Sequence, residues 1–268
     1  MKNSLKNNPI GVFDSGLGGL TAIKVIKEIM PHENVVYFGD TKRVPYGVKS
    51  KTDIIKYTNQ DISFLKSQNS KIIISACGTA SSYLSDSDNI VGVIYPACKK
   101  AFEISNNKRI GIIGTTAAIE SNSYLNQIKK ISDETFVLQK SCPMFVPLIE
   151  RGITHLNNNL LHNVTKFYLK DFVGKIDTLI LGCTHYPLIK ETINDFFDGT
   201  VNLINPGKEA AILVKKILKN SHMENNSTIP GRYNFYVSAN KQAFSNSAKI
   251  FLNFDIEKNL KTINIDSY

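Results

Sequence analysis

The chain has 268 residues, of which 42% are hydrophobic, and it carries a net charge of +9. Its length allows one large globular domain or two modest ones, and no stretch approaches the roughly 18 apolar residues of a membrane span, so we expect a cytoplasmic protein with no membrane partner. The charge comes from lysines scattered along the chain, with only four arginines, so we expect solvated helix faces and no nucleic-acid partner.

Seven apolar runs bounded by turn residues follow one another along the chain, and amphipathic segments such as LTAIKVIKEIM separate them. The intervening segments carry apolar residues at helical spacing, whereas the apolar runs are short enough to be buried strands. This alternation is typical of βαβ units and predicts an α/β fold with parallel sheets covered on both faces. The runs are IGVFD (10–14), NVVYFGD (34–40), KIIISA (71–76), IVGVI (90–94), RIGIIG (109–114), TFVLQ (135–139) and TLILG (178–182).

Two motifs recur in the same order about one hundred residues further along the chain. IGVFDSGLGG is echoed by IGIIGTTAAI, and KIIISACGTAS is echoed by DTLILGCTHYP, which puts Cys77 and Cys183 at equivalent places. Repetition of this kind predicts two similar α/β domains that face each other with pseudo-two-fold symmetry.

Turn signals at Tyr95-Pro96 and at Asn205-Pro206-Gly207 predict a second domain over residues 97–207. A helical segment at 209–219 and two strand-like stretches, YNFYVS (233–238) and TINI (262–265), come after it. We expect this C-terminal part to return to the first domain, which is therefore predicted to be discontinuous, over residues 1–96 and 208–268.

Four cysteines occur at positions 77, 98, 142 and 183, with no CxxC pairing and no histidine at metal-ligand spacing. Neither disulfides nor a metal site is therefore expected in a cytosolic chain. Cys98 and Cys142 are interpreted as small buried hydrophobic residues. The segment GLGGLT (16–21) has a threonine where a dinucleotide-binding loop has its third glycine, so no such cofactor is expected.

Polar side chains follow the carboxyl ends of several predicted strands, which is where parallel sheets bind ligands. A cysteine at such an end, just before a helix, meets unpaired backbone N–H groups and the positive end of the helix dipole, so we expect a lowered thiol pKa. The same N–H groups, together with threonine hydroxyls, would bind a carboxylate. The residues at these ends are Asp14, Ser15, Asp40, Thr41, Cys77, Thr79, Thr115, Cys183, Thr184 and His185.

The repeat puts one of these cysteines, Cys77 or Cys183, at the matching edge of each predicted domain. Two thiols that face each other across a cleft could remove a proton from one face of a substrate carbon and return a proton to the other face. This reaction is two-base racemisation or epimerisation, a form of general acid–base catalysis. His185, two residues after Cys183, is a candidate to tune that thiol or to relay its proton.

Five motifs resemble those of the glutamate racemases, which belong to the aspartate/glutamate racemase family: FDSGLGGLT, GDTKRVPYGVKS, ACGTAS, FVPLIERG and GCTHYPL. They occur in this order over most of the chain. The resemblance implies a cofactor-independent isomerase that interconverts L- and D-glutamate and supplies D-glutamate for bacterial peptidoglycan. It implies glutamate as the small-molecule partner, no metal, and two facing α/β domains; a homodimer is a further expectation.

The resemblance also implies roles for individual residues. Cys77 would take the α-proton from D-glutamate and Cys183 from L-glutamate, with Asp14 and His185 as polar partners of the thiols and Glu150 as a helper near Cys183. The implied substrate contacts are Asp14, Ser15, Pro45, Tyr46, Gly47, Gly78, Thr79, Thr115, Thr184 and His185.

The chain departs from the family pattern at two positions: Gly78 stands where an asparagine is usual, and Ala118 stands where a second threonine is frequent. Altered substrate contacts are the expected consequence, with the two-thiol mechanism kept. Two alternatives stay open. One is an enzyme of the same scaffold acting on aspartate or another small dicarboxylate, although aspartate racemases typically have an acidic residue in place of His185. The other is a basic binding module without catalysis.

Overall fold

The computed structural model describes residues 5–84, 89–156, 158–252 and 254–268. Within them, ten strands form two sheets in which every strand pair is parallel, so the predicted α/β class with two parallel sheets is confirmed. The strands are β1 Ile10–Asp14, β2 Val35–Gly39, β3 Ile72–Ser75, β4 Ile90–Gly92, β5 Arg109–Gly114, β6 Phe136–Ser141, β7 Thr178–Leu181, β8 Asn202–Ile204, β9 Tyr233–Val237 and β10 Leu260–Thr262.

Helices connect these strands, and short 3₁₀ turns at Tyr46–Val48 and Tyr186–Ile189 lie near two of the strand ends. No helix among the described residues combines the length and the hydrophobicity needed to cross a lipid bilayer. The helices are α1 Leu20–Ile29, α2 Lys51–Ser67, α3 Gly78–Ser81, α4 Ile94–Ile104, α5 Thr116–Glu120, α6 Ser123–Ile131, α7 Phe145–Glu150, α8 Asn159–Leu169, α9 Lys190–Phe196, α10 Pro206–Asn220 and α11 Lys241–Phe251.

The two sheets share a strand order. The first sheet runs β10-β9-β2-β1-β3-β4 and the second runs β6-β5-β7-β8, so the four strands of the second sheet correspond in order to β2-β1-β3-β4 of the first. In each sheet the chain places its second strand on one side of the first strand and its third on the other side. This reversal leaves a crevice at the carboxyl ends of the first and third strands. Cys77 follows β3 and Cys183 follows β7, so the two cysteines lie at equivalent crevices.

The strands are built from nearly continuous apolar runs because helices cover both faces of each sheet. β1 and β2 are buried along their whole length. Helix α10 begins where the Asn205 side chain accepts a hydrogen bond from the Lys208 N–H, with Pro206 in the first turn. It packs against both α1 and α4, so one helix joins the layers that cover the two sheets.

The structure differs from the sequence prediction at three strands. β8 was not predicted, because a three-residue strand is too short to show a periodic pattern. β4 ends at Gly92, since the predicted run continues into the start of α4. β10 lies at Leu260–Thr262 and overlaps the predicted TINI stretch (262–265) only at Thr262.

The prolines taken as turn signals between domains lie in helices. Pro96 belongs to the first turn of α4 and Pro206 to the first turn of α10, where a missing backbone N–H costs no intrahelical hydrogen bond. The segment after α10 adds β9 beside β2 and β10 beside β9. The division into 1–96 plus 208–268 and 97–207 stays a prediction.

Candidate active site

A cavity of about 330 Å³ lies where the carboxyl ends of strands from both sheets meet. This volume is at the small end of the usual range of ligand pockets, roughly 300–1,000 Å³, and suits a small molecule. A larger cavity, of about 670 Å³, contains none of the predicted site residues. Those that line the smaller cavity are Ser15, Pro45, Tyr46, Gly47, Cys77, Gly78, Thr79, Thr115, Glu150, Cys183, Thr184 and His185.

Cys77 lies at the start of α3, and its Sγ donates a hydrogen bond to Ser15 Oγ at 3.7 Å. Burial raises the pKa of the Cys77 thiol to about 12, and the charge of Asp14 acts in the same direction, against the Ala80 N–H and Ser15. The expectation of a lowered pKa is therefore wrong for Cys77. The physical reason is that desolvation outweighs the few N–H groups of a four-residue helix. Cys77 thus presents a neutral thiol, which can donate a proton.

Cys183 has a different partner. Its Sγ lies 3.8 Å from His185 Nδ1, and His185 Nε2 lies 3.1 Å from Glu150 Oε1. Burial alone would lower the pKa of His185, but hydrogen bonds to Cys183 and Glu150 raise it to about 10. The imidazolium therefore places a positive charge beside the Cys183 Sγ. Phe251 of α11 packs edge-on against the imidazole ring at a centroid distance of 5.4 Å.

Asp14 is almost fully buried and lies behind the cavity wall. Its Oδ2 accepts a hydrogen bond from the Gly16 N–H at 2.9 Å, and its Oδ1 accepts one from the Thr184 hydroxyl at 3.4 Å. Burial raises the pKa of Asp14, while the charge of His185 and these hydrogen bonds oppose that shift. Asp14 therefore connects the end of β1 to the segment that carries Cys183 and His185.

Hydroxyl groups from the two sheets meet at another wall of the cavity. Thr79 Oγ1 and Thr115 Oγ1 are 3.2 Å apart, and the backbone of Gly47 packs directly against Thr115. Tyr46 also lines the cavity, but its hydroxyl is directed to Asp40 at 2.7 Å and to a second carboxylate. Asp40 and Thr41, the other strand-end candidates, are not brought to the cavity; the Thr41 hydroxyl donates to the Ala239 carbonyl instead.

Gly78 lies against the backbone that precedes Cys183. A Cβ at position 78 would be 2.6 Å from the Gly182 carbonyl oxygen, so a side chain there requires Gly182 to move. The glycine thus permits a close approach of the two segments that carry the cysteines. Ala118, the second departure from the family pattern, is buried, and its N–H donates to Thr115 Oγ1 at 3.3 Å.

Several cavity-lining residues were not predicted from the sequence. Most of them are glycines or apolar residues, which carry no chemical signal in the sequence. Pro143 comes two residues after the end of β6, so the expectation that ligands bind at the carboxyl ends of strands would have indicated it. The missed residues are Gly16, Val44, Val48, Thr116, Pro143, Val146, Pro147 and Gly182. Among the described residues, no group of three His, Cys, Asp or Glu side chains could hold a metal ion.

Gly18 lies directly behind the Thr184–His185 segment. A Cβ at this position would overlap Thr184 Oγ1 and would lie 2.6 Å from His185 Nδ1, the atom that faces Cys183. We expect Gly18→Ala to displace His185 and to lower kcat about tenfold, since small misplacements of reacting groups are costly. Gly207→Ala is the matched control, because its Cβ would come no closer than 3.3 Å to Ala22. The rates are measured by circular dichroism with glutamate, the substrate that the five sequence motifs imply, and equal losses of kcat in both variants would contradict this role.

Comparison with known proteins gives concordant similarities. The sequence model described as Asp/Glu/Hydantoin racemase matches residues 23–214. The chain is 41% identical to the glutamate racemase of Aquifex aeolicus over 254 residues, covering 92% of this chain and 95% of that protein. It is 39% identical to the glutamate racemase of Thermoanaerobacter pseudethanolicus over 268 residues, covering 98% and 100%.

A solved structure shows the same similarity in three dimensions. Glutamate racemase from Francisella tularensis, in complex with D-glutamate, superposes with a TM-score of 0.89 at 37% sequence identity. The match covers 98% of this chain and 100% of that chain. The resemblance that the five sequence motifs indicated is therefore confirmed at the level of the family.

Proposed function

The chain belongs to the Asp/Glu/Hydantoin racemase family, and from this premise we propose that it interconverts L- and D-glutamate without a cofactor. The observation that carries the proposal is that Cys77 and Cys183 follow equivalent strands of two sheets and line one small cavity. Relatives named glutamate racemase, at about 40% identity over nearly the whole chain, support glutamate as the substrate.

We propose that the positive charge of His185 beside Cys183 makes Cys183 the base, and that the neutral thiol of Cys77 is the acid. In the proposed reaction on L-glutamate, the Cys183 thiolate removes the α-proton, and Cys77 donates its own thiol proton to the opposite face of the carbanion. Cys183 then holds a proton and Cys77 is a thiolate, which is the state required for the reverse reaction. Asp14 and His185 assist as polar partners of the thiols, and Glu150 holds the far nitrogen of His185.

Polar groups around the cavity are proposed to bind the substrate. The hydroxyls of Thr79 and Thr115 are close enough to bind one carboxylate together, and Thr184 lies beside the thiol of the other half. The backbone N–H of Gly78 is proposed to replace the asparagine contact of the family. The further proposed contacts are Ser15, Pro45, Tyr46, Gly47 and His185, with Asp14 acting from behind the wall.

Exchange of the α-hydrogen with solvent tests the proposed reaction. The pure protein is incubated with L-glutamate in D₂O, and we expect loss of optical rotation together with one deuterium at Cα of the D-glutamate formed. A protein that produces neither D-glutamate nor deuterium at Cα would refute the proposal. L-aspartate is tested in parallel, and faster turnover of aspartate would favour the alternative dicarboxylate substrate.

The setting of the reaction is also proposed. D-glutamate made by this chain would serve peptidoglycan synthesis in the cytoplasm, where L-glutamate is available, and so would support cell-wall formation and cell shape. We further propose a homodimer as the assembly. The proposed role of D-glutamate is supported by the names of the relatives.

A further inference from the structure

Asp61 is a fully buried acid on α2 that has no part in the reaction described above. Its Oδ2 lies 2.9 Å from the Tyr46 hydroxyl oxygen. The same hydroxyl oxygen lies 2.7 Å from Oδ2 of Asp40, which is also fully buried. One phenolic oxygen therefore bridges two carboxyl groups inside the protein.

A count of hydrogens shows what this geometry requires. A tyrosine hydroxyl has a single hydrogen to donate, whereas two ionised carboxylates can only accept. With both acids ionised, one of the two short contacts would place unshared electron pairs of two oxygens against each other. A second hydrogen, carried by one of the acids and donated to the tyrosine oxygen, satisfies both contacts.

The surroundings indicate which acid carries that hydrogen. Asp40 has other donors, because Ser238 donates to its Oδ1 at 2.7 Å and Arg43 lies 3.3 Å from its Oδ2. Asp61 has no cation within ion-pair distance among the described residues, and its Oδ1 has no hydrogen-bond partner there. A buried ionised carboxylate needs such partners and Asp61 lacks them, so the second hydrogen belongs to Asp61.

The charges that face Asp61 act mainly in the same direction. Burial raises the pKa of Asp61 well above its ordinary value, and the negative charge of Asp40 raises it further. The hydrogen bond to Tyr46 and the charge of Arg43 lower this pKa, and the charge of Asp14 raises it. Arg43 also forms an ion pair with Asp266 at 2.6 Å, so its charge is shared with that carboxylate.

We propose that Asp61 is held as a neutral carboxylic acid and positions Tyr46, and with it the cavity wall at Pro45–Gly47, for substrate binding. Tyr46 begins the 3₁₀ turn whose Gly47 packs against Thr115 of the opposite sheet. Anchoring the hydroxyl therefore sets where this wall meets the other half of the cavity. Asp61 is a positioning residue, since it touches Tyr46 and not the cavity.

Two substitutions separate the neutral acid from an ionised one. Asp61→Asn keeps the shape and offers an N–H to the Tyr46 oxygen, so we expect KM for glutamate within about twofold of the wild type. Asp61→Ala removes the donor, and we expect KM to rise about tenfold with a much smaller change in kcat, as for one lost anchoring hydrogen bond. Asp53→Asn is the matched control, because Asp53 is a partly exposed residue of the same helix whose carboxylate accepts a hydrogen bond from Ser50. Equal rises of KM in Asp61→Asn and Asp61→Ala would overturn the proposal.

A double-mutant cycle tests whether Asp61 acts through Tyr46. In a Tyr46→Phe background, we expect Asp61→Ala to change KM little further, because the contact it supports is already gone. A full tenfold rise of KM in that background would contradict the positioning role. These KM measurements rest on the proposed function, and they use whichever dicarboxylate substrate the enzyme converts.

A direct measurement of protonation needs neither turnover nor a stable alanine variant. Aspartate labelled with ¹³C at the side-chain carboxyl gives one NMR resonance per residue, and Asp61→Asn identifies that of Asp61. We expect this resonance to stay at the position of a protonated acid between pH 6 and 8, while the resonance of Asp171, whose pKa is lowered by its hydrogen bond to Lys140, is at the position of an ionised carboxylate. An Asp61 resonance at the ionised position would refute the proposal even if racemisation of glutamate is confirmed.

Discussion

Replacing either Cys77 or Cys183 with serine is expected to lower the rate of glutamate racemisation about 10⁴-fold, the upper end of what a positioned acid or base contributes. A serine hydroxyl has nearly the size of a thiol but neither ionises nor gives up its proton in the accessible pH range. Each thiol belongs to a different sheet, so the remaining one cannot serve both faces of the substrate carbon. The rates are measured by circular dichroism in both directions.

The matched control for this experiment is Cys98→Ser. Cys98 is fully buried away from the cavity, and its Sγ contacts the Tyr124 carbonyl oxygen at 3.6 Å, an interaction that a serine hydroxyl can keep. We expect Cys98→Ser to retain activity, and thermal unfolding of all three variants shows whether each is folded. Substantial racemisation by a folded Cys77→Ser or Cys183→Ser variant would rule out the two-thiol mechanism.

Isotope exchange in the same variants tests which thiol serves which enantiomer. L- and D-glutamate have equal free energies, so kcat/KM must fall equally in both directions and cannot distinguish the thiols. Cys77→Ser keeps the base at Cys183, so we expect it to wash deuterium into L-glutamate without inversion. Cys183→Ser should do the same for D-glutamate. The opposite pattern would reverse the assigned roles.

Replacing His185 with glutamine is expected to lower kcat/KM about 10²-fold, the smaller contribution of a group that supports a base. Glutamine fills similar space but cannot carry the positive charge that His185 places beside Cys183. Glu150→Gln should cost only a few-fold, because the Glu150 side chain is 40% exposed and solvent screens its charge. A larger loss in Glu150→Gln than in His185→Gln would contradict this order.

The pH dependence of stability provides a second measurement on the same variant. The pKa of His185 is raised to about 10 in the folded protein, against about 6.5 for an unfolded histidine. Its stabilising contribution is therefore complete below pH ~6.5 and is lost as the pH rises through about 10. The difference in unfolding free energy between the wild type and His185→Gln, measured with denaturant, should shrink over that window. A difference independent of pH would show that His185 is not charged.

Much of the fold could be predicted from the sequence because parallel strands covered on both faces need long apolar runs, and these are visible without a structure. The repeated motifs predicted that Cys77 and Cys183 are equivalent. The expectation that ligands bind at the carboxyl ends of parallel strands predicted Thr79, Thr115 and Thr184 as site residues. Glu150 was predicted as a site residue only through the resemblance to the glutamate racemases. A lone glutamate in a helical segment has no local sequence pattern that distinguishes it from a surface carboxylate.

Other features depend on distances that no local pattern encodes. Burial and the charge of Asp14 raise the pKa of the Cys77 thiol, whereas its position at the end of a strand had predicted a lowered pKa. Gly78 is unremarkable in sequence, yet its position is set by the Gly182 carbonyl of a segment about one hundred residues away. The bridge between Asp40 and Asp61 likewise forms only when α2 packs against the loop that carries Tyr46.

The sequence by itself determined the α/β class, the family and the chemistry available, because these depend on residue types and on spacing along the chain. The tertiary structure decided which of those groups meet in one cavity and which charges they carry. Desolvation and the distances between residues far apart in sequence control both properties. The single thiol after an apolar run at KIIISAC is one half of the candidate site because the fold brings Cys183 and His185 to the same cavity.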